Sequence, residues 1–545
     1  MKLADRYTQQ RGSTYLTGIQ ALVRLPMDQI RRDRDAGLNN ATFISGYEGS
    51  PLAGYDIALL RSKQLLEPLN IHFVPGMNEE IAATSVMGSQ TFDVFGGAKF
   101  DGVLGIWYGK GPGVDRCGDV FRHANFAGSA KHNAALVLTG DDHQAKSSTI
   151  PHQSDLSLFN VGMPVVFPGN SQETLDYGLL AIAMGRHSGA WIGMKMVTNV
   201  CDGGGTVTLD ADRISIVMPE GYEKVTDSRL VTPVTLALEY ELHTRRLDAA
   251  REFARVNNLN RFHGARGKAS LGIVSTGKAY YDLMQALADL GIREADLPEL
   301  GIRIAKFGMT YPLEPVFTRE FAAGLQTLLV VEEKRSFVEF QLRDLLYSQA
   351  HRPVIIGKID ADGMPLLPST GELDPDIIAR VIARLLSAHP RESIRARIAK
   401  LDEIQGRRRE LSSPRNPTFC SGCPHNRSTL LLPGQVAGGG IGCHSMAITL
   451  GDMGRGFGFL TQMGGEGAGW IGMAPFLKRD HIFQNVGDGT YFHSGSLAVQ
   501  ACIAAGVNIT FKILLKDFFQ KEHLVFIVNK KTRVPRLNQN QLKKL

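Results

Sequence analysis

The stretch NVGDGTYFHSGSLAVQACIAAGVNITFKILLKD, residues 485–517, places an aspartate between two glycines at the end of an apolar run. An apolar run, 481–486, leads into Gly487-Asp488-Gly489, after which a helix-like stretch and a second apolar run follow. Such runs predict strands buried on both faces of a parallel sheet, joined by a right-handed crossover. The glycines let the backbone approach a ligand, and Asp488 supplies a hard oxygen for a cation such as Mg²⁺. A turn without a ligand is the alternative.

The same pattern of a strand followed by a Gly- or Asp-rich loop recurs earlier in the chain. In open parallel sheets, ligands lie beyond the carboxyl ends of the strands, so these loops predict a ligand-binding edge. A second α/β pattern begins near residue 270 and a third near 418. We therefore predict an α/β protein of successive doubly wound parallel-sheet domains. The early strand and loop pairs are 41–45 with 46–51, 102–107 with 109–113, and 134–139 with 140–143.

Composition indicates an ordinary globular chain, because 43% of its 545 residues are apolar and 21% are charged. No apolar run approaches the roughly 18 residues of a membrane span, and the N-terminus lacks an apolar signal core, so we expect a cytoplasmic protein. The net charge of +6 is concentrated in 517–545, which holds seven Lys/Arg against two acidic residues. That stretch lacks a repeated basic-aromatic pattern. We expect a solvated tail and no nucleic-acid or membrane partner.

Three of the six cysteines cluster within a short stretch of the chain. Cys420 and Cys423 form a C-x-x-C, and Cys443 follows in a Gly-rich turn. A lone C-x-x-C fits Zn²⁺, a redox dithiol or no function, and His425 or His444 could complete a Cys₃His zinc site. Cys502 is predicted to pack within a helix.

Several motifs together resemble the thiamine diphosphate-dependent 2-oxoacid:ferredoxin oxidoreductases. The similarity covers roughly residues 14–515 and is most marked for the long fused form of the indolepyruvate ferredoxin oxidoreductases. Beside the GDG stretch, the motifs are GYEGSPLAGYD (46–56), MNEEIAATSVMGSQ (77–90), FCSGCPHN (419–426), GIGCHSMAITLGDMG (440–454) and TQMGGEGAGWIGM (461–473).

The resemblance implies a catalytic Glu79, rather than Glu80, which hydrogen-bonds N1′ of the aminopyrimidine ring and thereby promotes loss of the C2 proton. It implies that Asp488 holds Mg²⁺ at the diphosphate. The family closes this motif with an asparagine, whereas here the position carries Lys516, whose ammonium cannot ligate a cation. Asp517 would point to the opposite face of the strand. The implied cofactor-binding residues are Gly46, Glu48 (in place of the family's proline), Ser50, Pro51, Gly442, His444, Gly465, Glu466, Gly487, Asp488 and Gly489.

The cysteine trio is implied to hold a [4Fe–4S] cluster through Cys420, Cys423 and Cys443. Cluster ligation needs four thiolates, and the family's fourth cysteine lies further downstream. The loop 136–155 matches the family's loop over the substrate side. Its polar candidates are His143, Ser147, Ser148 and Gln153, each of which could instead satisfy loop backbone.

The resemblance also implies a domain order. We expect a pyrimidine-binding domain (14–204), a connector (205–269), a transketolase C-terminal-like domain (270–385), a linker (386–417), an incomplete diphosphate-binding domain (418–516) and an atypical basic tail (517–545). The change of character after Leu515 looks like a frameshift or truncation.

The implied reaction is oxidative decarboxylation of an aryl 2-oxoacid, such as indolepyruvate, to an acyl-CoA with ferredoxin as electron acceptor. The implied partners are therefore the 2-oxoacid, coenzyme A and ferredoxin, with a homodimer or a γ-type subunit completing the enzyme. Two alternatives remain open. One is a non-oxidative thiamine-dependent decarboxylase, against which the cysteine trio argues, and the other is a non-catalytic remnant.

Overall fold

The computed structural model describes residues 4–146, 148–210, 213–387, 392–407, 417–514 and 523–528. The chain divides into two compact units, residues 1–408 and 409–545. Within the described ranges, no helix is both long and apolar enough to cross a bilayer.

The strands of the first unit are β1 (Gly12–Thr17), β2 (Asn40–Gly46), β3 (Ile71–Phe73), β4 (Gly102–Lys110), β5 (Ala134–Asp141), β6 (Val165–Val166), β7 (Ile192–Val197), β8 (Gly204–Leu209), β9 (Asn260–Gly264), β10 (Ala269–Thr276), β11 (Ile302–Phe307), β12 (Met309–Tyr311), β13 (Leu325–Val331) and β14 (Val354–Ile356). Its α-helices are α1 (Asp5–Thr8), α2 (Gly18–Asp35), α3 (Tyr55–Arg61), α4 (Lys63–Leu66), α5 (Glu79–Gln90), α6 (Gly111–Arg116), α7 (Gly118–Ala127), α8 (Ser154–Asn160), α9 (Ser171–Ser188), α10 (Thr198–Asp202), α11 (Val234–Tyr240), α12 (Leu247–Val256), α13 (Gly277–Asp289), α14 (Pro315–Ala322), α15 (Val338–Tyr347), α16 (Pro375–Leu385) and α17 (Glu392–Gly406).

The larger sheet has the strand order β12-β6-β7-β5-β4-β2-β3 and is parallel except where β12 joins β6. Side chains of β5 alternate between two apolar clusters, because successive residues of a strand point to opposite faces. Leu136 and Leu138 pack with α2 and α9, whereas Ala135 and Val137 pack with α5 and α7. Helices therefore cover both faces of this sheet, as a doubly wound fold requires.

The second sheet has the order β14-β13-β10-β11-β9, and only the edge strand β9 is antiparallel among its described strands. One face packs against α14 and α15, and the other against α13 and α16. The predicted class of successive doubly wound α/β sheets is confirmed. The strand β9 lies inside the stretch predicted to be a connector, and the predicted domain boundaries stay predictions.

Two of the contacts that join the sheets of the first unit lie at β11 and β12. Strand β12, which directly follows β11 of the second sheet, hydrogen-bonds to the edge of the first. Beside it, the buried Lys306 ammonium pairs with Glu173 in the first turn of α9 and lies over the rings of Tyr280 and Tyr281. The Tyr281 hydroxyl donates to the same carboxylate at 2.8 Å. The two sheets are thus fastened by a buried ion pair as well as by backbone pairing.

The second unit holds the sheet β15 (Ala437–Gly438), β16 (Ile482–Gly487), β17 (Ile509–Leu514) and β18 (His523–Val528), in that order. The described α-helices are α18 (His425–Ser428), α19 (Ala468–Met473), α20 (Asp488–Thr490) and α21 (Ser496–Ala505). Strands β15, β16 and β17 are parallel, and β18 runs antiparallel to β17. The run HLVFIV forms β18 inside the stretch predicted to be a basic tail, because it is apolar and β-branched despite its basic flanks.

Replacing Lys306 with Met should lower the free energy of unfolding by about 3 kcal/mol, since it leaves the buried Glu173 carboxylate without its cation. Urea unfolding of the full chain at neutral pH measures this loss. The matched control is Arg293→Met, which breaks an exposed pair with Asp296 and should change stability little. Equal effects of the two substitutions would contradict the assignment of Lys306 as a fastening residue.

Candidate active site

The loop after β2 lies over the carboxyl ends of the central strands. The backbone N–H of Tyr47 donates to the carbonyl of Tyr108 in β4 at 3.1 Å. A Cβ on Gly46 would lie 2.1 Å from the same carbonyl oxygen, so only glycine allows this approach. Pro51 is buried, and a Cβ on Gly140 of β5 would meet it at 2.8 Å. The loop is therefore seated on β4 and β5 through close contacts.

Two polar residues of this loop differ in exposure. Ser50 is half-buried, whereas Glu48 is exposed. Partial burial and the nearby Asp56 carboxylate raise the pKa of Glu48. The residue that replaces the family's proline thus brings a titratable carboxyl to the predicted cofactor loop.

The structure separates Glu79 from its neighbour Glu80. Glu79 begins α5 and is 7% exposed, whereas Glu80 is exposed and lies 3.9 Å from Arg116. The indole N–H of Trp107 donates to the backbone carbonyl of Glu79 at 3.0 Å. The Glu79 side chain lies against Gly113, where a Cβ would be 2.5 Å from its Cγ. Burial and close packing thus single out Glu79 at the edge of the sheet.

Next to this position, β5 ends in a fully buried carboxylate, Asp141. Its oxygens accept hydrogen bonds from the backbone N–H and the hydroxyl of Ser154, at 3.0 and 2.6 Å. The buried Lys195 ammonium lies 3.5 Å from Asp141 and 2.6 Å from Asp155. Burial opposes ionisation, but the His152 hydrogen bond and the Lys195 charge lower the pKa of Asp141 well below its ordinary value.

His152 bridges this network to α6. Its Nε2 lies 2.7 Å from the carboxylate of Asp115, and its Nδ1 lies 3.5 Å from that of Asp141. Burial disfavours the charged imidazole, but the two carboxylates outweigh it and raise the pKa of His152 to about 9. The imidazole is therefore a cation at neutral pH, held between two anions.

His143, a predicted substrate-side residue, lies at the junction with the second sheet. Its Nδ1 is 3.6 Å from the carboxylate of Glu333, and its backbone carbonyl accepts a hydrogen bond from the Lys334 ammonium. Burial, followed by the charge of Lys195, lowers the pKa of His143 to about 3. The ring is thus neutral, and its Nε2 makes no hydrogen bond with the described residues.

The other loop candidates are placed differently. Gln153 is buried and fastens the loop to the second sheet, because its side chain donates to the Arg335 carbonyl and accepts from the Arg335 N–H, both at 3.2 Å. Ser148 is half-buried, and Ser147 lies outside the described residues. Gln153 thus satisfies backbone, which was the alternative that the sequence left open.

Sequence reasoning missed Asp115, His152 and Lys195. They come from α6, the loop before α8, and β7, so no local spacing links them. Only Lys195 carried a signal, because it is a charged residue inside the apolar run IGMKMV.

In the second unit, β16 ends at Gly487, and the helical stretch that includes α20 and α21 starts at Asp488. Asp488 is half-buried, and the Gly489 N–H donates to its carboxylate at 2.8 Å. The Thr490 hydroxyl donates to the carbonyl of Ile441 at 3.0 Å. The GDG turn therefore lies beside the loop that follows β15.

His444 is buried at this edge. Its ring lies close to Gly442 and Gly487, since a Cβ on either would meet it at 3.1 and 3.9 Å. Burial and the neighbouring His425 lower the pKa of His444 to about 4, although the Gly440 carbonyl opposes the fall. Among the described residues, neither ring nitrogen makes a hydrogen bond of ordinary geometry. A buried neutral donor and acceptor therefore lies next to the GDG turn.

Glu466, also buried, fastens two loops. Its carboxylate accepts backbone N–H groups of Ile441 at 3.2 Å and Gly464 at 2.6 Å. A Cβ on Gly440 would lie 2.4 Å from its Cγ, so glycine makes room for this side chain. Burial raises the pKa of Glu466 despite these donors. The neighbouring Gly465 belongs to a turn in which its backbone N–H donates to the carbonyl of Gln462 at 3.0 Å.

The cysteine trio is near the surface. Cys420 and Cys443 are exposed and Cys423 is half-buried, whereas the buried Cys502 packs in α21 with its thiol 3.4 Å from the Gly467 carbonyl. Within the part of the chain that the structure describes, no three His, Cys, Asp or Glu side chains are grouped to hold a metal. The predicted cluster, zinc and magnesium ligands stay predictions. Lys516 and Asp517 lie outside the described residues.

Comparison with known proteins finds the same group of enzymes that the sequence motifs resemble. A family model described as "Indolepyruvate oxidoreductase domain" matches residues 260–408. "Indolepyruvate oxidoreductase subunit IorA" of Methanothermobacter marburgensis is 25% identical over 516 residues, covering 91% of this chain and 74% of that protein. Its counterpart in Archaeoglobus fulgidus is 22% identical over 460 residues, covering 83% of this chain and 68% of that protein.

Among solved structures, 2-oxoglutarate:ferredoxin oxidoreductase from Magnetococcus marinus matches 69% of this chain and 66% of its own, with 14% identity and a TM-score of 0.48. The predicted resemblance to indolepyruvate ferredoxin oxidoreductases is confirmed by the sequence matches.

The charge on His152 should make stability depend on pH. Because its pKa is raised to about 9 in the folded chain, its stabilising contribution is complete below pH 6.5 and is lost as pH rises through about 9. His152→Gln should cost up to about 3 kcal/mol at pH 7. Urea unfolding of the parent and the variant between pH 6 and 10.5 measures the difference in their free energies of unfolding. The contributions of the other titrating groups cancel in this difference. A difference in unfolding free energy that stays constant with pH would contradict a charged His152 held between Asp115 and Asp141.

Proposed function

We propose that the chain is the thiamine diphosphate-binding part of a 2-oxoacid oxidoreductase that acts on aryl 2-oxoacids such as indolepyruvate. The observation that carries the proposal is the buried Glu79 carboxyl at the carboxyl edge of a doubly wound sheet. It occurs in a chain aligned over 91% of its length with an indolepyruvate oxidoreductase subunit.

The residues present fit the pyrimidine half of the cofactor. A carboxyl group that hydrogen-bonds a ring nitrogen is most effective where water is excluded and its position is fixed. Glu79 meets both conditions, because it is 7% exposed and lies against Gly113. Glu80 meets neither, since it is exposed.

The residues also fit the diphosphate half. A helical stretch that starts directly after a Gly-rich strand end offers backbone N–H groups and a positive dipole to phosphate. Near Gly487, the buried His444 has ring nitrogens without a protein hydrogen bond of ordinary geometry, as a phosphate-contacting side chain would before binding. Glu466 holds the surrounding loops by its two backbone contacts.

Bound thiamine diphosphate supplies a carbon nucleophile and an electron sink for decarboxylating a 2-oxoacid. In this assignment Glu79 holds the proton shared with the aminopyrimidine N1′. His444, neutral at pH 7, donates one N–H to a phosphate oxygen. Asp488 offers its carboxylate to a cation on the diphosphate, and Gly46, Ser50 and Pro51 bring the loop after β2 towards the ring.

The iron–sulfur cluster of the proposed enzyme is a prediction from the cysteine motif. Cys420, Cys423 and Cys443 carry the thiolates that a [4Fe–4S] cluster takes, and their exposure leaves them accessible. Among the described residues, no three His, Cys, Asp or Glu side chains are grouped to hold a metal. Coenzyme A, ferredoxin, and a second copy or a γ-type subunit follow from the same resemblance as proposed partners.

Glu79→Gln should leave thiamine diphosphate binding within a few-fold of the parent chain and slow exchange of the bound C2 proton with D₂O by roughly 100-fold or more. The amide keeps the shape of the side chain but cannot take part in the proton transfer. Calorimetry gives the affinity, and quenched-flow NMR gives the exchange rate. Glu80→Gln is the matched control on the same turn and should match the parent. Equal exchange rates in both variants would refute the role of Glu79.

Anaerobic purification followed by iron and labile-sulfide analysis tests the electron-transfer part. About four iron atoms per chain, lost in Cys423→Ser, would support a cluster at the trio. Saturable thiamine binding without iron would favour the non-oxidative decarboxylase, and the absence of both would favour the non-catalytic remnant.

A further inference from the structure

The short helix α6 lies between the buried Glu79 side chain and the half-buried His152 ring. It follows β4 directly and has the sequence GPGVDR. Helical residues two apart point to nearly opposite sides, because each residue turns the chain by about 100°. A Cβ on Gly111 would lie 2.1 Å from the His152 ring, and a Cβ on Gly113 would lie 2.5 Å from the Glu79 Cγ. One side of α6 therefore contacts Glu79 and the other contacts His152.

The glycine at position 113 is explained by space and not by backbone conformation. Gly113 is absent from the described glycines with positive φ, so a larger residue could adopt its backbone angles. A glycine inside a helix costs about 1 kcal/mol relative to alanine. That cost is offset here because the Glu79 Oε1 would lie only 2.9 Å from a Cβ. Any side chain at position 113 would thus displace the Glu79 carboxyl.

The far side of α6 is held by ionic contacts. Asp115, carried by α6, accepts hydrogen bonds from His152 at 2.7 Å and from the Ser157 hydroxyl at 2.7 Å. His152 in turn faces Asp141 at the end of β5. A further charged group faces these residues from β7, where the Lys195 ammonium lies 3.5 Å from the Asp141 carboxylate. The position of α6 is therefore tied to two strands of the sheet.

We propose that α6 is the element that sets the position of the Glu79 carboxyl, with Gly113 as the contact surface and the Asp115–His152–Asp141 bridge as its support. Gly113, Asp115 and His152 are positioning residues that act on the cofactor through Glu79. This inference rests on the proposed function, since Glu79 acts on a cofactor only if thiamine diphosphate binds.

Gly113→Ala should slow exchange of the thiamine C2 proton by roughly 10- to 100-fold, because a misplacement of about 1 Å can cost a catalytic group that much. The affinity for thiamine diphosphate should change less than about threefold, since the diphosphate contacts lie on other residues. The matched control is Gly118→Ala at the start of α7, where a Cβ meets nothing within 4 Å. Gly118→Ala should match the parent chain in affinity and in exchange rate.

Two further readouts separate positioning from general damage. Hydrogen–deuterium exchange of the cofactor-free full chain should increase in peptides covering α5 for Gly113→Ala and not for Gly118→Ala. Asp115→Asn, at a side chain 55% exposed, should keep the fold and should lower the pKa of His152, because it removes one of the two carboxylates beside that ring. Above that pKa the neutral ring supports α6 less firmly, so the Glu79 carboxyl is less well placed. In this variant the C2 exchange rate should therefore fall at a lower pH than in the parent.

The outcomes are distinct. If the parent chain does not bind thiamine diphosphate, the proposed function fails and this inference fails with it. If the parent binds and activates the cofactor while Gly113→Ala matches Gly118→Ala in exchange rate and deuterium uptake, only the inference is overturned. If Gly113→Ala does not fold, Asp115→Asn decides, and an unchanged pH profile overturns the inference.

Discussion

The buried charge of Asp141 is the constraint on which the first unit depends. An ionised carboxylate without solvent is stable only when cations and hydrogen-bond donors surround it, and removing one partner leaves an uncompensated charge. Lys195, His152 and Ser154 meet this demand from β7, the loop and α8. Each of these elements must therefore pass beside the carboxylate, and α6 is tied to the same group because Asp115 pairs with His152. A single charge at the end of a central strand thus organises the edge at which Glu79 lies.

The second sheet repeats this construction. Glu332, directly after β13, accepts the backbone N–H groups of Phe337, Val338 and Glu339 where α15 begins, at 2.7 to 3.0 Å. Burial raises the pKa of Glu332 to about 7, although these donors oppose the rise. In both sheets, an acidic residue at the end of a strand accepts N–H groups at the start of a helix further along the chain. The negative charge also interacts favourably with the positive end of the helix dipole. Substitutions of these carboxylates should therefore destabilise the edge of each sheet.

The sequence predicted what local pattern determines. The apolar runs predicted strand ends at residues 45, 139 and 486, within two residues of the observed ends at Gly46, Asp141 and Gly487, because periodicity and turn chemistry act over a few residues. The choice of Glu79 over Glu80 came from resemblance, and burial agrees with it. The ionic bridge was not predictable, since Asp115, Asp141 and His152 lie 11 to 37 residues apart along the chain and only the folded sheet brings them together. The strand β18 was missed because its basic flanks obscured an apolar run.

Glycines that make room differ physically from glycines that permit a turn. Gly46, Gly113 and Gly440 face a carbonyl or a glutamate so closely that a Cβ would lie within 2.1 to 2.5 Å of it. Gly37, by contrast, has φ +76° and nothing within 4 Å, so its cost on substitution is backbone strain alone. A substitution at a glycine of the first kind displaces the side chain or carbonyl packed against it, whereas a substitution at a glycine of the second kind strains only the turn. Glu79 and Glu466 each pack against a glycine of the first kind, Gly113 and Gly440, so packing sets the position of both side chains.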